Sequence, residues 1–419
     1  MDLRWKKLAL LLGLIAITGL LGYGIYRLFF ATRSEPTTEN PPDSAINGLP
    51  NAGNATSTGS VTLPPGSLNP AGGRAGDNTL FVREPLNPLV ETLPRAQIIR
   101  NTLTTQISGG GGGISGAVRS YSPLDGKFYK TFEDGSTFPL SDKVFYSVDT
   151  VTWANKNDKA VLTFPDGSKV LYNFVEDKQI TLPKYWDEFS FSPDDNQLVT
   201  KSVGNDPSNR FLIVADPEAG EQKIIEDLGE NQDKVHVAWS PNNQTIAYAF
   251  TGDPIGQNEQ AIVLVGQNRE NFKNLIVDGR GFTPIWSPSG NAVVYSVWNT
   301  ETGYRPTLWF SGANGENINA GRLDLRLQTW ADKCAWQSET TVICAVPLDL
   351  PEGSGLQRDT YDVGPDIIYR IDLRTGQKTS LGSPGQEEGV SVRAMTAVSD
   401  SKVFFTDKRT GKLFSFDTR

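Results

Sequence analysis

A short corner with the pattern aromatic–Ser–Pro recurs along most of this chain. Residues 235–248 show it in full, as an apolar strand ending in Trp239-Ser240, a Pro-Asn-Asn turn and a second apolar strand. Comparable corners are spaced by 38, 48, 47, 50 and 61 residues, beginning at Trp153, Phe191, Trp239, Trp286, Trp336 and Ala397. A unit of this size cannot bury its apolar face alone, so successive units must pack on one another.

The residues after each corner indicate how many strands a unit contains. In the unit of Trp239, a second β-rich run follows at 246–249 and a third at 261–264, and polar turns lead into a fourth in the other units. Four antiparallel strands with a period of about 40–50 residues are typical of β-propeller blades. A Trp on the inner strand fills the wedge between blades, and Pro and Asn suit the tight turn. We therefore expect an all-β β-propeller over residues 117–419.

Three corners also resemble a known repeat. They read Ser-Pro-Asp-Asp at 192–195, Ser-Pro-Asn-Asn at 240–243 and Ser-Pro-Ser-Gly at 287–290, and Leu-Val, Ile-Ala-Tyr and Val-Val-Tyr strands follow them. This pattern resembles the WD40-like (PD40) repeats of bacterial TolB-type β-propellers, over roughly residues 120–419. True WD40 repeats need a histidine in each blade, whereas this chain has only His236. The resemblance implies an extracytoplasmic protein-binding or scaffold role.

The number of blades depends on how the ring closes. The C-terminal unit offers three strands and ends at Arg419 without an outer one, and residues 127–138 look like third and fourth strands that lack an inner strand. Joining these two sets would complete one blade and remove free sheet edges. This favours six four-stranded blades, with seven as the alternative if residues 81–125 contribute an irregular blade.

The first 33 residues indicate a membrane anchor. Residues 8–26 form an almost uncharged apolar run of 19 residues, which spans roughly 28 Å as a helix and matches the hydrocarbon thickness of a bilayer. Arg4, Lys6 and Lys7 precede it, so the positive-inside rule places the N-terminus in the cytoplasm and the propeller outside. A cleaved signal peptide is the alternative, but the run ends in Tyr-Arg-Leu-Phe-Phe rather than at small residues.

Two segments connect the anchor to the propeller. Residues 34–80 are rich in Pro, Gly, Asn, Ser and Thr and have no periodic apolar face, which predicts a disordered linker. Residues 81–116 lie next to the linker, and their apolar groups at 81–107 suit a short helix or a segment packed against the propeller. The run of five glycines at 109–113 is interpreted as a flexible hinge. The formal net charge of −9, with +4 in residues 1–33, leaves about −13 for the remainder. This acidic body argues against nucleic acid as a partner.

The two cysteines, Cys334 and Cys344, flank a hairpin centred on residue 339. In a symmetric antiparallel register they face each other, at a Cα separation that a disulfide spans. Oxidation is permitted outside the cytoplasm, so a disulfide is favoured over two buried thiols.

Motifs for catalysis, metals and cofactors are missing from the sequence. There is one histidine and no Gly-x-Ser-x-Gly elbow, so we expect no catalytic, metal-binding or cofactor-binding residues. Paired carboxylates contributed by different blades would escape detection, which keeps a hydrolase or lyase acting on cell-surface polysaccharide as the alternative function.

Long polar loops are the expected contact surface for a protein or glycan partner. They cover residues 203–210, 251–258, 298–305 and 348–366. Their side chains of types favoured at binding hot spots are Trp298, Tyr304, Arg305 and Tyr361. The partner itself and the oligomeric state are not encoded in any motif.

Overall fold

A computed structural model describes residues 96–100, 102–108, 115–256, 258–270, 272–385 and 389–419. The predicted anchor (1–33) and linker (34–80) lie outside the described residues. Within the described ranges, no helix combines the length and the apolar character that crossing a membrane requires.

The regular secondary structure of the described residues is almost entirely β-strand. Strands β1 to β28 are Ala96–Arg100, Ala117–Ser122, Lys127–Phe132, Thr137–Pro139, Thr150–Trp153, Lys159–Thr163, Lys169–Asn173, Lys178–Leu182, Trp186–Phe191, Leu198–Val203, Arg210–Asp216, Glu221–Asp227, Val235–Val237, Thr245–Ala249, Pro254–Ile255, Glu259–Gly266, Leu275–Val277, Arg280–Trp286, Ala292–Trp298, Thr307–Gly312, Leu323–Asp324, Cys334–Ser338, Thr341–Pro347, Asp366–Asp372, Gln377–Gly382, Val392–Ser399, Lys402–Asp407 and Leu413–Asp417. One short α-helix, α1 (Arg358–Tyr361), lies between β23 and β24. Four 3₁₀ turns span Pro207–Asn209, Gly229–Lys234, Gly315–Asn317 and Ala331–Lys333.

The described strands form seven sheets. In six of them the strands follow one another in sequence, and the seventh joins the last three strands to β1. Blades 1 to 6 contain β2–β4, β5–β8, β9–β12, β13–β17, β18–β21 and β22–β25, and blade 7 contains β26–β28 with β1. The predicted all-β propeller is therefore confirmed, and the alternative of seven blades is the one that the structure adopts.

The ring closes differently from the expected joining of the C-terminal strands with residues 127–138. The outer strand of blade 7 is β1, where Ala96 pairs with Phe416 and Ile98 with Phe414. Residues 127–138 instead contribute β3 and β4 to a separate blade, in which β3 pairs with β2 on one side and with β4 on the other. The sequence of β2, Ala-Val-Arg-Ser-Tyr-Ser, is buried along its whole length but lacks apolar periodicity, so the expectation overlooked it.

Residues 104–108 lie along β2 and form the inner edge of blade 1, without being a regular strand. The N–H of Thr105 donates to the carbonyl of Tyr121, and the N–H of Ser108 donates to that of Arg119. Residues 96–100 therefore supply the last strand of blade 7, and residues 104–108 supply the first edge of blade 1. These two stretches, close in sequence, thus belong to the last and the first blade of the ring.

The corner tryptophans fill the wedges between blades, as the sequence predicted. Trp239 is buried in a cluster with Leu212 of blade 3 and Ile246 of blade 4. Trp336, with 0% of its surface exposed, packs against Leu308 of blade 5 in the same way. Burial of each ring removes on the order of 200 Å² from water, which makes these contacts a main source of cohesion between blades.

The corners also connect neighbouring blades through hydrogen bonds. The Asp195 carboxylate of blade 3, 1% exposed, accepts the N–H groups of Asn155, Lys156 and Asn157 in the blade 2 corner, at 2.6, 2.8 and 2.8 Å. Asp195 itself has a φ of 62°, a left-handed conformation that Asp tolerates better than most residues. The repeat is therefore architectural, because its wedge and its turn both hold adjacent blades together.

Candidate functional site: the loop face

Strand alternation gives the propeller two distinct faces. In an antiparallel blade, the turns after the first and third strands lie at one end, and the connections after the second strand lie at the other. We call the first end the corner face, because it carries the Ser-Pro corners, and the second the loop face. All four predicted contact loops connect second and third strands, so they share the loop face.

Three of the four predicted contact residues meet on this face. The rings of Trp298 and Tyr304 are 5.9 Å apart between centroids. Arg305 follows Tyr304 directly and donates from Nε to the carbonyl of Leu350 at 2.7 Å. Tyr361 lies in α1 and is half-buried, in a part of the 348–366 loop that is organised around Arg358.

Trp298 and Tyr304 have different roles. A Cβ built on Gly355 would lie 2.6 Å from the Trp298 ring, and one on Gly281 would lie 2.4 Å from its Nε1. Trp298 is therefore packed between two glycine backbones and is half-buried. Tyr304 remains 38% exposed and is the aromatic side chain of the pair that a partner can contact.

Hydrogen bonds join three loops into a continuous structure, which we call the ridge (residues 251–256, 258, 299–305 and 348–366). Asn258 Nδ2 donates to Glu301 Oε1 at 3.2 Å, linking blades 4 and 5. The N–H groups of Gly353 and Gly355 donate to the carbonyls of Gly303 and Tyr304 at 2.9 and 2.8 Å, linking blades 6 and 5. Backbone hydrogen bonds therefore fix the blade 5 and blade 6 loops to each other, and a side-chain hydrogen bond adds the blade 4 loop.

A buried ionic network anchors the blade 6 end of the ridge. Lys333 is 0% exposed, and its Nζ lies 2.7 Å from Asp362 Oδ1 and 2.9 Å from Asp366 Oδ1. Asp366 Oδ2 also accepts the N–H of Val392 in the inner strand of blade 7, at 2.6 Å. Arg358 Nε adds a contact of 3.3 Å to Asp362 Oδ2. The network therefore ties the ridge to both blade 6 and blade 7.

The two carboxylates of this network differ in their affinity for a proton. Burial raises the pKa of Asp366 to about 6, because Lys333 and the Val392 N–H offset the desolvation only in part. Burial acts in the same direction on Asp362, but Lys333, Arg358 and Lys408 outweigh it and hold its pKa below the usual range. Both side chains are almost fully buried, so this close pair of carboxylates is structural and inaccessible to a polysaccharide.

A second charged group connects the inner strands of blades 3 and 4. Glu188 has a φ of 52°, and its Oε1 lies 2.7 Å from Lys201 Nζ and 3.4 Å from His236 Nδ1. Its Oε2 accepts the N–H of Val237 at 3.2 Å. Burial opposes ionisation of Glu188, but hydrogen bonds from His236 and Lys201 outweigh it and lower the pKa to about 2. Over the described ranges, no group of three or more His, Cys, Asp or Glu side chains is placed to hold a metal.

The cysteines lie directly after the buried lysine. Cys334 pairs with Cys344 in the ladder between β22 and β23, which is the register that the hairpin midpoint predicted. Their Cα atoms are 4.0 Å apart and the two Sγ atoms are bonded in the structure. The disulfide would tie the inner strand of blade 6 to its neighbour beside the network that anchors the ridge.

Local sequence patterns do not identify the residues that hold the ridge in place. Lys333 and Asp366 are separated by 33 positions, and a lysine in a polar stretch is normally solvated. Likewise, no sequence pattern indicates that Gly281 and Gly355 pack against Trp298. The one usable signal was the length of the 348–366 loop, because long loops in compact domains are often functional.

Comparisons with known proteins identify the fold alone. No protein-family model matches the chain, and no curated protein matches it. Among solved structures, an oligogalacturonate lyase in complex with manganese is similar with a TM-score of 0.50 at 11% identity, covering 74% of this chain and 90% of that one. An oligogalacturonate lyase from Vibrio parahaemolyticus has a TM-score of 0.49 at 12% identity, with 76% and 93% covered. The β-propeller domain of Cps50 (Swd1) from Myceliophteria thermophila has a TM-score of 0.48 at 10% identity, with 77% and 100% covered.

Proposed function

We propose that this protein is a membrane-tethered, extracytoplasmic β-propeller of the TolB type that binds a protein or glycan partner through its loop face. The proposal rests on the structure of the ridge. It exposes Tyr304, Leu356 and Val363 by 38%, 55% and 62%, on loops that hydrogen bonds lock to one another. A surface fixed in shape before binding loses less conformational entropy when a partner docks.

The proposed location rests on residues 1–80. The apolar run at 8–26 and the basic residues before it support a single-pass anchor with the propeller outside the cytoplasm. The Pro-rich residues 34–80 would hold the propeller away from the bilayer. A disulfide between Cys334 and Cys344 is compatible with that oxidising side.

Partner recovery from native membranes tests the binding role. The full-length protein is affinity-captured from detergent-solubilised membranes, as the wild type and as a Tyr304→Ser/Leu356→Ser double variant. We expect the double variant to lose the co-purifying partner. Val175→Ser, which alters an apolar side chain of the corner face that is 78% exposed, should retain it. Equal recovery by all three proteins would refute the role of the loop face.

The alternative, a propeller-type hydrolase or lyase acting on cell-surface polysaccharide, is favoured by one observation. Glu188 combines a left-handed backbone with a His236 contact on adjoining inner strands, and strained, charged positions are often functional. Incubation with polygalacturonate, followed by assay for reducing ends and unsaturated products, tests this activity. Product formation that Glu188→Gln abolishes would establish the enzyme, whereas no product from the wild type would count against this substrate.

A further inference from the structure

The ridge carries a strong excess of negative charge. Its sequence contains seven acidic residues and two basic ones, a balance of −5: Asp253, Glu301, Asp349, Glu352, Asp359, Asp362 and Asp366 against Arg305 and Arg358. Asp362 and Asp366 are buried beside Lys333, whereas the other five acidic residues are exposed. A surface with this excess of carboxylates attracts cations and repels anions at distances up to about 10 Å in 0.1 M salt.

Both arginines of the ridge are occupied by internal contacts. Arg305 donates to the carbonyls of Leu350 and Thr302, at 2.7 and 3.3 Å. Arg358 forms a bidentate pair with Asp332 at 2.7 and 2.8 Å, and its guanidinium lies 4.8 Å from the centre of the Trp330 ring. These positive charges are therefore used to hold the loops, and they are poorly placed to receive an anionic ligand.

Several acidic side chains of the ridge remain on its surface. Asp253, Glu301, Glu352 and Asp359 are all exposed, and 78% of the Glu352 side chain is accessible even though Arg305 lies 3.8 Å away. In contrast, Asp362 and Asp366 are buried against Lys333. The charge that a partner encounters is thus predominantly negative.

Exposed apolar groups lie on the same three loops. They are Ile255 at 38%, Tyr304 at 38%, Leu348 at 41%, Leu356 at 55% and Val363 at 62% exposed. Most of these side chains are aliphatic, and the half-buried Trp298 ring is packed between two glycine backbones. Aliphatic groups bordered by carboxylates suit an amphipathic polypeptide better than a sugar ring.

We propose that the ridge binds a basic amphipathic segment of a partner protein. Lysine or arginine side chains of that segment pair with Glu301, Glu352 and Asp359, and its apolar side chains cover Leu356 and Val363. This inference rests on the proposed binding role and narrows the partner to a cationic polypeptide. Attraction between the opposite charges speeds association and makes binding sensitive to salt.

A pair of synthetic peptides tests the charge requirement. The full-length protein, in nanodiscs of phosphatidylcholine, is titrated with a fluorescent amphipathic peptide of Leu and Lys and with its Leu/Glu counterpart, and binding to empty nanodiscs is subtracted. We expect the Leu/Lys peptide to bind and its affinity to fall as salt increases. Failure of the Leu/Lys peptide to bind, or equal binding of both peptides, would overturn the proposal.

Two matched triple variants locate the charges. Glu301→Gln/Glu352→Gln/Asp359→Asn should weaken Leu/Lys binding by about tenfold, because three exposed ion pairs are lost. The control, Glu133→Gln/Glu176→Gln/Glu221→Gln, removes the same charge from the corner face and should leave the affinity unchanged. Equal weakening by both variants would indicate unspecific attraction and overturn the assignment to the ridge.

Membrane capture separates this inference from the broader binding role. Partner recovery that depends on Tyr304 and Leu356 but is unchanged in the ridge triple variant would refute the basic segment and leave the binding role intact. Recovery that is insensitive to Tyr304→Ser/Leu356→Ser would refute the binding role itself.

Discussion

Replacement of Lys333 by methionine tests whether the buried network holds the ridge. Lys333 Nζ is the shared cation for Asp362 and Asp366, and methionine keeps a similar length without the charge. The variant leaves two buried carboxylates without their main counter-ion. Removal of one partner from a buried ion pair costs about 3–5 kcal/mol, so we expect a loss of that size in the free energy of unfolding.

Thermal unfolding followed by near-ultraviolet circular dichroism measures this loss. A change of 1 kcal/mol shifts the melting temperature by about 2–4 °C for domains of 150–250 residues, so the Lys333→Met variant should melt on the order of 10 °C below the wild type. Limited proteolysis should also cut within residues 348–366 of the variant earlier than in the wild type, because Asp362 and Asp366 no longer anchor that loop.

An exposed ion pair provides the matched control. Lys184 and Asp166 are 3.5 Å apart, with 65% of each side chain exposed, and pairs of this kind contribute little to stability. Lys184→Met should leave the melting temperature almost unchanged. A melting temperature for Lys333→Met that equals that of Lys184→Met would refute the reasoning, because the network would then contribute no more than a solvated pair.

Three further predictions concern pH, the blade corners and the cysteines. Burial raises the pKa of Asp366 from 3.8 to about 6, so the folded state holds this proton more tightly than the unfolded chain. Its contribution to stability should fall as the pH rises from about 4 to about 6 and stay level above that; Asp366→Asn should remove this dependence from melting curves recorded across the range. Asp195→Ala leaves three N–H groups of the blade 2 corner without their acceptor and should cost about 3 kcal/mol or more in urea unfolding, whereas the exposed Asp194→Ala should cost less. Alkylation of the denatured protein should modify Cys334 and Cys344 only after reduction, as read by intact mass, and labelling without reductant would show that the disulfide had not formed.

The propeller was predictable because its determinants are local. The corner at Trp239 combines a wedge residue, a turn and a following apolar strand within 14 residues, 235–248, and five comparable corners repeat that information. Ring closure was harder because its evidence is non-local. β1 pairs with β28 across more than 300 positions, and the polar, buried β2 lacks the alternation that identifies a strand.

The loop face was predictable only in outline. The four loops chosen for their length and hot-spot residue types share one face of the propeller, and their role in contacting a partner stays a prediction. The separate roles of Trp298 and Tyr304 depend on two glycines of other segments, which no local pattern indicates. Burial of Lys333 is equally non-local, because it depends on Asp362 and Asp366 reaching it from the far end of a long loop.

Site-specific photo-crosslinking in native membranes tests the binding role of the loop face most directly. A photo-reactive phenylalanine replaces Tyr304 on the ridge or Val175 on the corner face of the full-length protein, and the adducts are identified by mass spectrometry. We expect position 304 to crosslink to a basic segment of a partner protein and position 175 to give no adduct with that partner. Adducts with the partner from position 175, and none from position 304, would contradict the assignment of binding to the loop face.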